Sequence, residues 1–240
     1  MLDQHRGVLL PFARVVLKSD LGAVTDNARA FARRPTAERL TFFRQSINAC
    51  TRDWPKDDHR HVVISAEDLI GLIPGRRGRV GYPQAAPLLS TFTSTLGDLF
   101  PHHGCHVFFS TRTPSDWLRS CHAHHLRHTR CTLDQEAYER AYAAGADLTG
   151  AARDIAANLD GVPASTASLG DHPHPAIPLF NLISLPKEMR DKIRPEPPSN
   201  ISMPNTILTE FLALNRSDLD EQTLVAQKKA LLTEYRKAKR

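Results

Sequence analysis

Val107-Phe108-Phe109-Ser110-Thr111-Arg112-Thr113-Pro114-Ser115-Asp116-Trp117-Leu118-Arg119-Ser120 joins a strand signature directly to a helix signature. Its first half, entered from His106, is a short run rich in aromatic and β-branched residues, the signature of a buried strand. Its second half announces a helix. Thr113 is placed as the N-cap, Pro114 at the first helical position and Asp116 at the third, and together they supply acceptors for the unpaired amides of a first turn. The spacing predicts a helix running to about residue 130. A strand that passes straight into a capped helix is the repeating unit of α/β proteins.

The same alternation extends to both sides. His61-Val62-Val63-Ile64-Ser65 is a second buried-strand run, and residues 162–167 offer a third. Between them, Leu40, Phe43 and Ile47 recur on one face of a helix over 35–50, with Thr36 as its cap. Ala86, Leu89, Phe92, Leu96 and Leu99 do the same over 83–100. Helices are also predicted over 134–144, 148–159, 206–214 and 219–239, with loops at 170–175 and 195–204. Short buried strands separated by helices predict a mostly parallel sheet covered on both faces, a three-layer α/β/α arrangement. The chain reads as one domain over 1–240, with a helical N-terminal part at 1–55 and C-terminal helices at 205–240.

Composition narrows the function classes. The chain has 240 residues, 41% hydrophobic and 24% charged, enough for a sizeable core. No apolar run approaches the roughly 18–20 residues of a membrane-spanning helix. The run Val8-Leu9-Leu10-Pro11-Phe12-Ala13 is broken by proline and lacks a cleavage site, so no leader peptide is expected. The four cysteines, Cys50, Cys105, Cys121 and Cys131, have no CxxC spacing and read as reduced thiols of a cytoplasmic protein. A net charge of +5 suits a polyanionic ligand. The basic residues are scattered and not striped with aromatics, so nucleic acid is not an expected partner.

In parallel sheets ligands bind beyond the carboxyl ends of the strands, which directs attention to the residues after Ser65, Thr111 and Ala167. Arg112 leaves the strand end, while Thr113, Asp116 and Ser120 share one helical face at offsets of three and four. A guanidinium, hydroxyls and a helix N-terminus converging there fit a phosphate monoester. The plain alternative is a solvated arginine, a cap and a surface serine. After Ser65, Glu67 or Asp68 sits where a general base would take a proton from a bound hydroxyl, or where either would cap the next turn. Arg76, Arg77 and Arg79 lie in a glycine-rich loop that is neither a P-loop nor a dinucleotide fingerprint. His122, His124, His125 and His128 crowd one helix, but no cysteine or carboxylate completes a ligand set, and no metal is expected.

With these residues in view, the sequence resembles the sulfotransferases that use 3′-phosphoadenylyl sulfate, the bacterial branch in particular. The segment 107–120 is similar to that family's 3′-phosphate-binding segment: a strand, then Arg-x-Pro-x-Asp and a serine eight residues after the arginine. The resemblance implies that Arg112 and Ser120 hold the 3′-phosphate. Val63-Ile64-Ser65-Ala66-Glu67 resembles the family's strand ending in Ser-x-Glu, which makes Glu67 the candidate base. Asn200-Ile201-Ser202-Met203-Pro204 and Leu212-Ala213-Leu214-Asn215-Arg216-Ser217 also look like the bacterial branch, so the similarity spans about residues 55–235. It implies a P-loop-NTPase-like fold and sulfuryl transfer to a hydroxyl or amine of a carbohydrate or small metabolite, with 3′-phosphoadenylyl sulfate as co-substrate and no metal.

One departure qualifies this. The family's opening strand and Pro-Lys-x-Gly-Thr-Thr loop, which wraps the phosphosulfate and supplies a lysine, has no counterpart in the chain. Residues 1–8 look like the end of the helix that follows that loop, and Lys18-Ser19-Asp20 lacks the glycines that let backbone amides approach a phosphate. The expectation for the chain as written is a fold without its first strand–loop unit and poor sulfate transfer. Because losing a central strand would leave apolar sheet edges unpaired, an incomplete start is expected over a protein that has lost the sulfuryl-transfer half of its site. The alternative is a non-catalytic remnant that binds nucleotide or a partner protein.

Overall fold

A computed structural model describes residues 2–75, 78–172, 174–193 and 203–238. The chain divides into two compact units. Unit 1 takes Met1–Leu72, Tyr82–Arg112 and Leu148–Pro197, and unit 2 takes Ile73–Gly81, Thr113–Asp147 and Pro198–Arg240.

In chain order the elements are α1 (Arg6–Leu9), β1 (Ala13–Leu17), α2 (Gly22–Arg33), α3 (Ala37–Thr51), β2 (His61–Ser65), α4 (Ala85–Leu99), β3 (Val107–Thr111), α5 (Pro114–His128), α6 (Gln135–Tyr142), α7 (Leu148–Ala156), β4 (Ala164–Ser168), α8 (Ile177–Leu182), α9 (Lys187–Arg190), α10 (Asn205–Arg216) and α11 (Glu221–Ala238). The class is mixed α/β with parallel strands, as the alternation of elements predicts. The sheet itself differs from expectation. β1 pairs with β2, from Ala13↔His61 to Leu17↔Ser65, and β3 pairs with β4, from Val107↔Ala164 to Thr111↔Ser168. Among the described residues these remain two separate two-stranded sheets.

Both sheets of unit 1 nevertheless contribute to one apolar core. Val16 of β1, Ile64 of β2, Val107 and Phe109 of β3 and Ala164 of β4 pack with residues of α2, α3, α4 and α7. Phe43 and Ile47 are fully buried, and the Phe43 ring stacks on Phe92 at 6.4 Å. Helix α3 starts where its sequence says, with the Thr36 hydroxyl accepting from the Arg39 amide at 3.3 Å. Helix α4 also buries Thr91, Thr93 and Thr95. Thr93 and Thr95 donate to the carbonyls of Leu89 and Thr91 at 2.9 and 2.6 Å, which removes the cost of burying their hydroxyls.

The reading of 1–55 as helical is corrected by β1. Its alternate side chains enter different clusters: Val16 joins the main core, and Val15 and Leu17 join a second one formed with α1, α8 and α9 around Leu9, Phe180 and Leu185. A strand covered on both faces carries a continuous apolar run with no period to betray it. Arg14 interrupts that run, and its guanidinium is accommodated over the Trp54 ring at 4.8 Å. The short helices α8 and α9 were likewise not predicted from the sequence. Most of the loop expected at 195–204 lies outside the described residues.

Unit 2 packs α5, α6, α10 and α11. Leu126, Leu208 and Phe211 form its centre, with Leu231 and Leu232 of the C-terminal helix against them. The carbonyls at the end of α5 would have no intrahelical partner. Asn215 donates to Leu126 at 3.1 Å and Lys228 to Thr129 at 2.8 Å. Burial lowers the pKa of Lys228.

Neighbouring phenylalanines of α3 test the core. Phe43→Ala should cost about 3–5 kcal/mol in urea unfolding. Phe42→Ala, which removes a ring that is 48% exposed, should change stability by no more than about 0.5 kcal/mol. Equal losses would mean that α3 presents a different face.

Candidate functional site

The carboxyl ends of β1 and β2 lie side by side, with Leu17 opposite Ser65. The chain leaves β1 through Lys18 and leaves β2 through Ala66, Glu67 and Asp68. Lys18 Nζ stands 2.5 Å from Asp68 Oδ2 and 3.6 Å from Glu67 Oε1. Arg29 of α2 donates to the same Asp68 oxygen at 3.1 Å and also pairs with Asp26. Two cations thus share one carboxylate oxygen, whose side chain is only 12% exposed. The hydrogen bond from Lys18 to Asp68 is the main cause of a raised lysine pKa. Burial opposes it, while the charges of Asp68 and Glu67 add to it.

This arrangement separates the two carboxylates that the sequence left side by side. Asp68 is the hub of the charged cluster, while the Glu67 side chain is 76% exposed and free to meet a molecule at the mouth of the strands. The 3-10 turn that they begin (Glu67–Ile70) has Ala66 as its N-cap and no side-chain capping bond, so capping is not what these carboxylates do. Sequence reasoning passed over Lys18 and Arg29 as members of the cluster. The available signal was a lysine directly after the apolar run 15–17, readable only once that run is a strand parallel to β2.

At the end of β3, Thr111 is buried and its carbonyl accepts from the Leu169 amide at 2.9 Å. Arg112 is exposed and is the last residue of this segment of unit 1. In unit 2, the Thr113 hydroxyl accepts from the Asp116 amide at 3.3 Å and donates to the Asp116 carboxylate at 2.8 Å. Pro114 occupies the first turn. Thr113 and Asp116 are therefore engaged in capping α5, as in the plain alternative. Ser120 is exposed one turn further on. Arg112 and Ser120 belong to different units.

The histidines of α5 have structural partners. Buried His122 uses both ring nitrogens, at 2.8 Å from Gln135 Oε1 and 2.8 Å from the Leu133 carbonyl. His125 Nδ1 lies 2.6 Å from the Tyr138 hydroxyl. His124 and His128 place their rings 4.6 Å apart on the exposed side of the helix. Among the described residues no group of three or more His, Cys, Asp or Glu side chains is placed to hold a metal ion. Arg76 and Arg77 lie outside the described residues. No described helix is long and apolar enough to cross a membrane.

No protein-family model, curated protein or solved structure matches the chain.

Asp68→Asn should destabilise unit 1 by about 1–3 kcal/mol, because Lys18 and Arg29 lose the charge they share. Chemical denaturation measures it. A raised lysine pKa stabilises the fold fully below the ordinary value of 10.5, and that contribution is lost as pH rises through the raised value. The stability difference between wild type and Lys18→Met should therefore hold at neutral pH and shrink in strong alkali. A difference that widens above the ordinary lysine range would contradict the pairing.

Proposed function

We propose that this chain is a sulfotransferase-like protein that binds the nucleotide of 3′-phosphoadenylyl sulfate. In this reading its fold is of the P-loop-NTPase-like, three-layer α/β/α type. Arg112 and Ser120 hold the 3′-phosphate, and Glu67 takes a proton from the hydroxyl or amine of a carbohydrate or small-metabolite acceptor. The observation that carries the reading is the passage from parallel strand β3 through exposed Arg112 to a helix capped by Thr113 with Pro114 in its first turn. The positive charge of Arg112 and the amides of a helix start are the groups that a phosphate monoester requires.

Two further features support it. Among the described residues β1–β2 and β3–β4 are both parallel pairs that share one core without a ladder between them, which is compatible with a doubly wound arrangement. Glu67 is exposed at the carboxyl ends of β1 and β2, with Lys18 keeping a cation beside it. Sulfuryl transfer also needs donors aimed at the oxygens of the transferring group. A second reading keeps the nucleotide at Arg112 and Ser120 without the transfer.

Calorimetric titration with adenosine 3′,5′-bisphosphate tests both. Wild type should bind, and Arg112→Ala should bind at least about tenfold more weakly, a loss of about 1.4 kcal/mol. Equal affinity in the two proteins would remove Arg112 from the site. Absence of binding to wild type would overturn the nucleotide reading itself.

A further inference from the structure

Unit 1 holds two imidazoles that the proposed reaction does not use. His174, two residues before the N-cap of α8, is 8% exposed, and its ring stacks on Phe180 with the centroids 6.1 Å apart. Its Nδ1 accepts from the Ala176 amide at 3.2 Å, and its carbonyl accepts from the Ile177 amide at 3.1 Å. One residue thus satisfies two amides at the start of α8, where helical carbonyls do not reach. Ala176 and Phe180 are buried in the second core, with Leu9 of α1, Val15 of β1 and Leu185.

A ring nitrogen that accepts from an amide carries no proton of its own. Protonating it would set one N–H against another and place a charge beside the apolar cluster. Burial lowers the pKa of His174, and the charges of His5 and of the chain's amino terminus lower it further. His5 stands just before α1, and its Nε2 is buried with no hydrogen-bond partner among the described residues. The unfolded chain takes up the His174 proton near the ordinary value of 6.5, and the folded chain only at lower pH. The contacts of His174 are therefore at full strength above 6.5 and weaken as the pH falls below it.

We propose that His174 is an acid-sensitive latch: neutral, it holds α8 and α9 on the second core of unit 1, and protonated, it releases them. The two short helices leave together, because Arg190 of α9 donates to the carbonyls of Phe180 and Leu185 and to the Asn181 side chain. Their departure uncovers the face of β1 that carries Val15 and Leu17, so the latch acts on the strand that leads into Lys18. It stands on contacts within unit 1 and does not rest on nucleotide binding.

Amide hydrogen exchange at about pH 7.5 and about pH 5.5, corrected for intrinsic rates, tests the latch, with the His174 ring of wild type followed by NMR over the same range. Peptides covering 177–193 should lose about three- to tenfold of their protection in acid, about tenfold being the most that one histidine yields one pH unit below its unfolded value. Peptides from α4 should keep theirs, and the loss should follow the titration of the His174 ring. His174→Gln still offers an oxygen to the Ala176 amide and takes no charge, so it should stay protected at both pH values. Protection independent of pH, a loss shared equally by α4, or a loss that comes while the His174 ring is still neutral would overturn the proposal. So would an undiminished loss in His174→Gln, which would assign the effect to another group. If that variant does not fold, the wild-type comparison of ring titration with exchange decides alone.

Discussion

Parallel strands cannot be joined by a tight turn, and this constraint organises the chain. Each parallel pair needs a crossover long enough to return to the same edge, and a helix is the usual way to cover that distance while burying an apolar face. Between β1 and β2 the crossover is α2 and α3, whose Val24, Ala28, Phe31, Phe43 and Ile47 become the core of unit 1. Between β3 and β4 the chain leaves unit 1 after Arg112, contributes α5 and α6 to unit 2, and re-enters unit 1 at Leu148. The second unit is therefore largely an elaborated crossover, completed by the C-terminal helices. A strand pair five residues long has little stability by itself. The shared core under both pairs makes them part of one unit.

The same parallel arrangement brings the chain's chemistry to the carboxyl ends of its strands. Lys18 and Asp68 are 50 residues apart in sequence, yet they meet because Leu17 and Ser65 are register partners. Arg29 reaches the same carboxylate from the helix that follows β1. A nearly buried carboxylate with two cationic partners ties strand, turn and helix together. Removing either sign would leave the other uncompensated in a partly dry place. Glu67, one residue earlier, projects into solvent beside this fixed arrangement, a suitable position for a group that must meet a second molecule.

Much of this was legible in the residues. β2 falls on the predicted 61–65, and the Thr36 and Thr113 caps are where the sequence places them, because capping and β-branched runs are local signals. What the sequence withheld was non-local. β1 was missed because burial on both faces erases alternation and because Arg14, which lies over the Trp54 ring, interrupts the apolar run. The roles of Asp68 and Glu67 were indistinguishable until the strand register brought Lys18 to 2.5 Å from Asp68 and left Glu67 exposed. Thr113 and Asp116, which the local pattern set beside Arg112 as a face for a phosphate, satisfy each other. The division into two units had no local signal at all. It depends on which apolar faces meet, and helical periodicity does not specify that.

The proposed function places a nucleotide's 3′-phosphate on the segment from the end of β3 into α5. The most direct measurement is the amide shift map of the isotope-labelled chain titrated with adenosine 3′,5′-bisphosphate and, separately, with adenosine 5′-phosphate. The 3′,5′-bisphosphate should move residues 112–116 and Ser120 most, and the compound lacking the 3′-phosphate should leave them nearly unmoved. Equal responses to both compounds, or changes confined to Lys18 and residues 67–70, would contradict that placement.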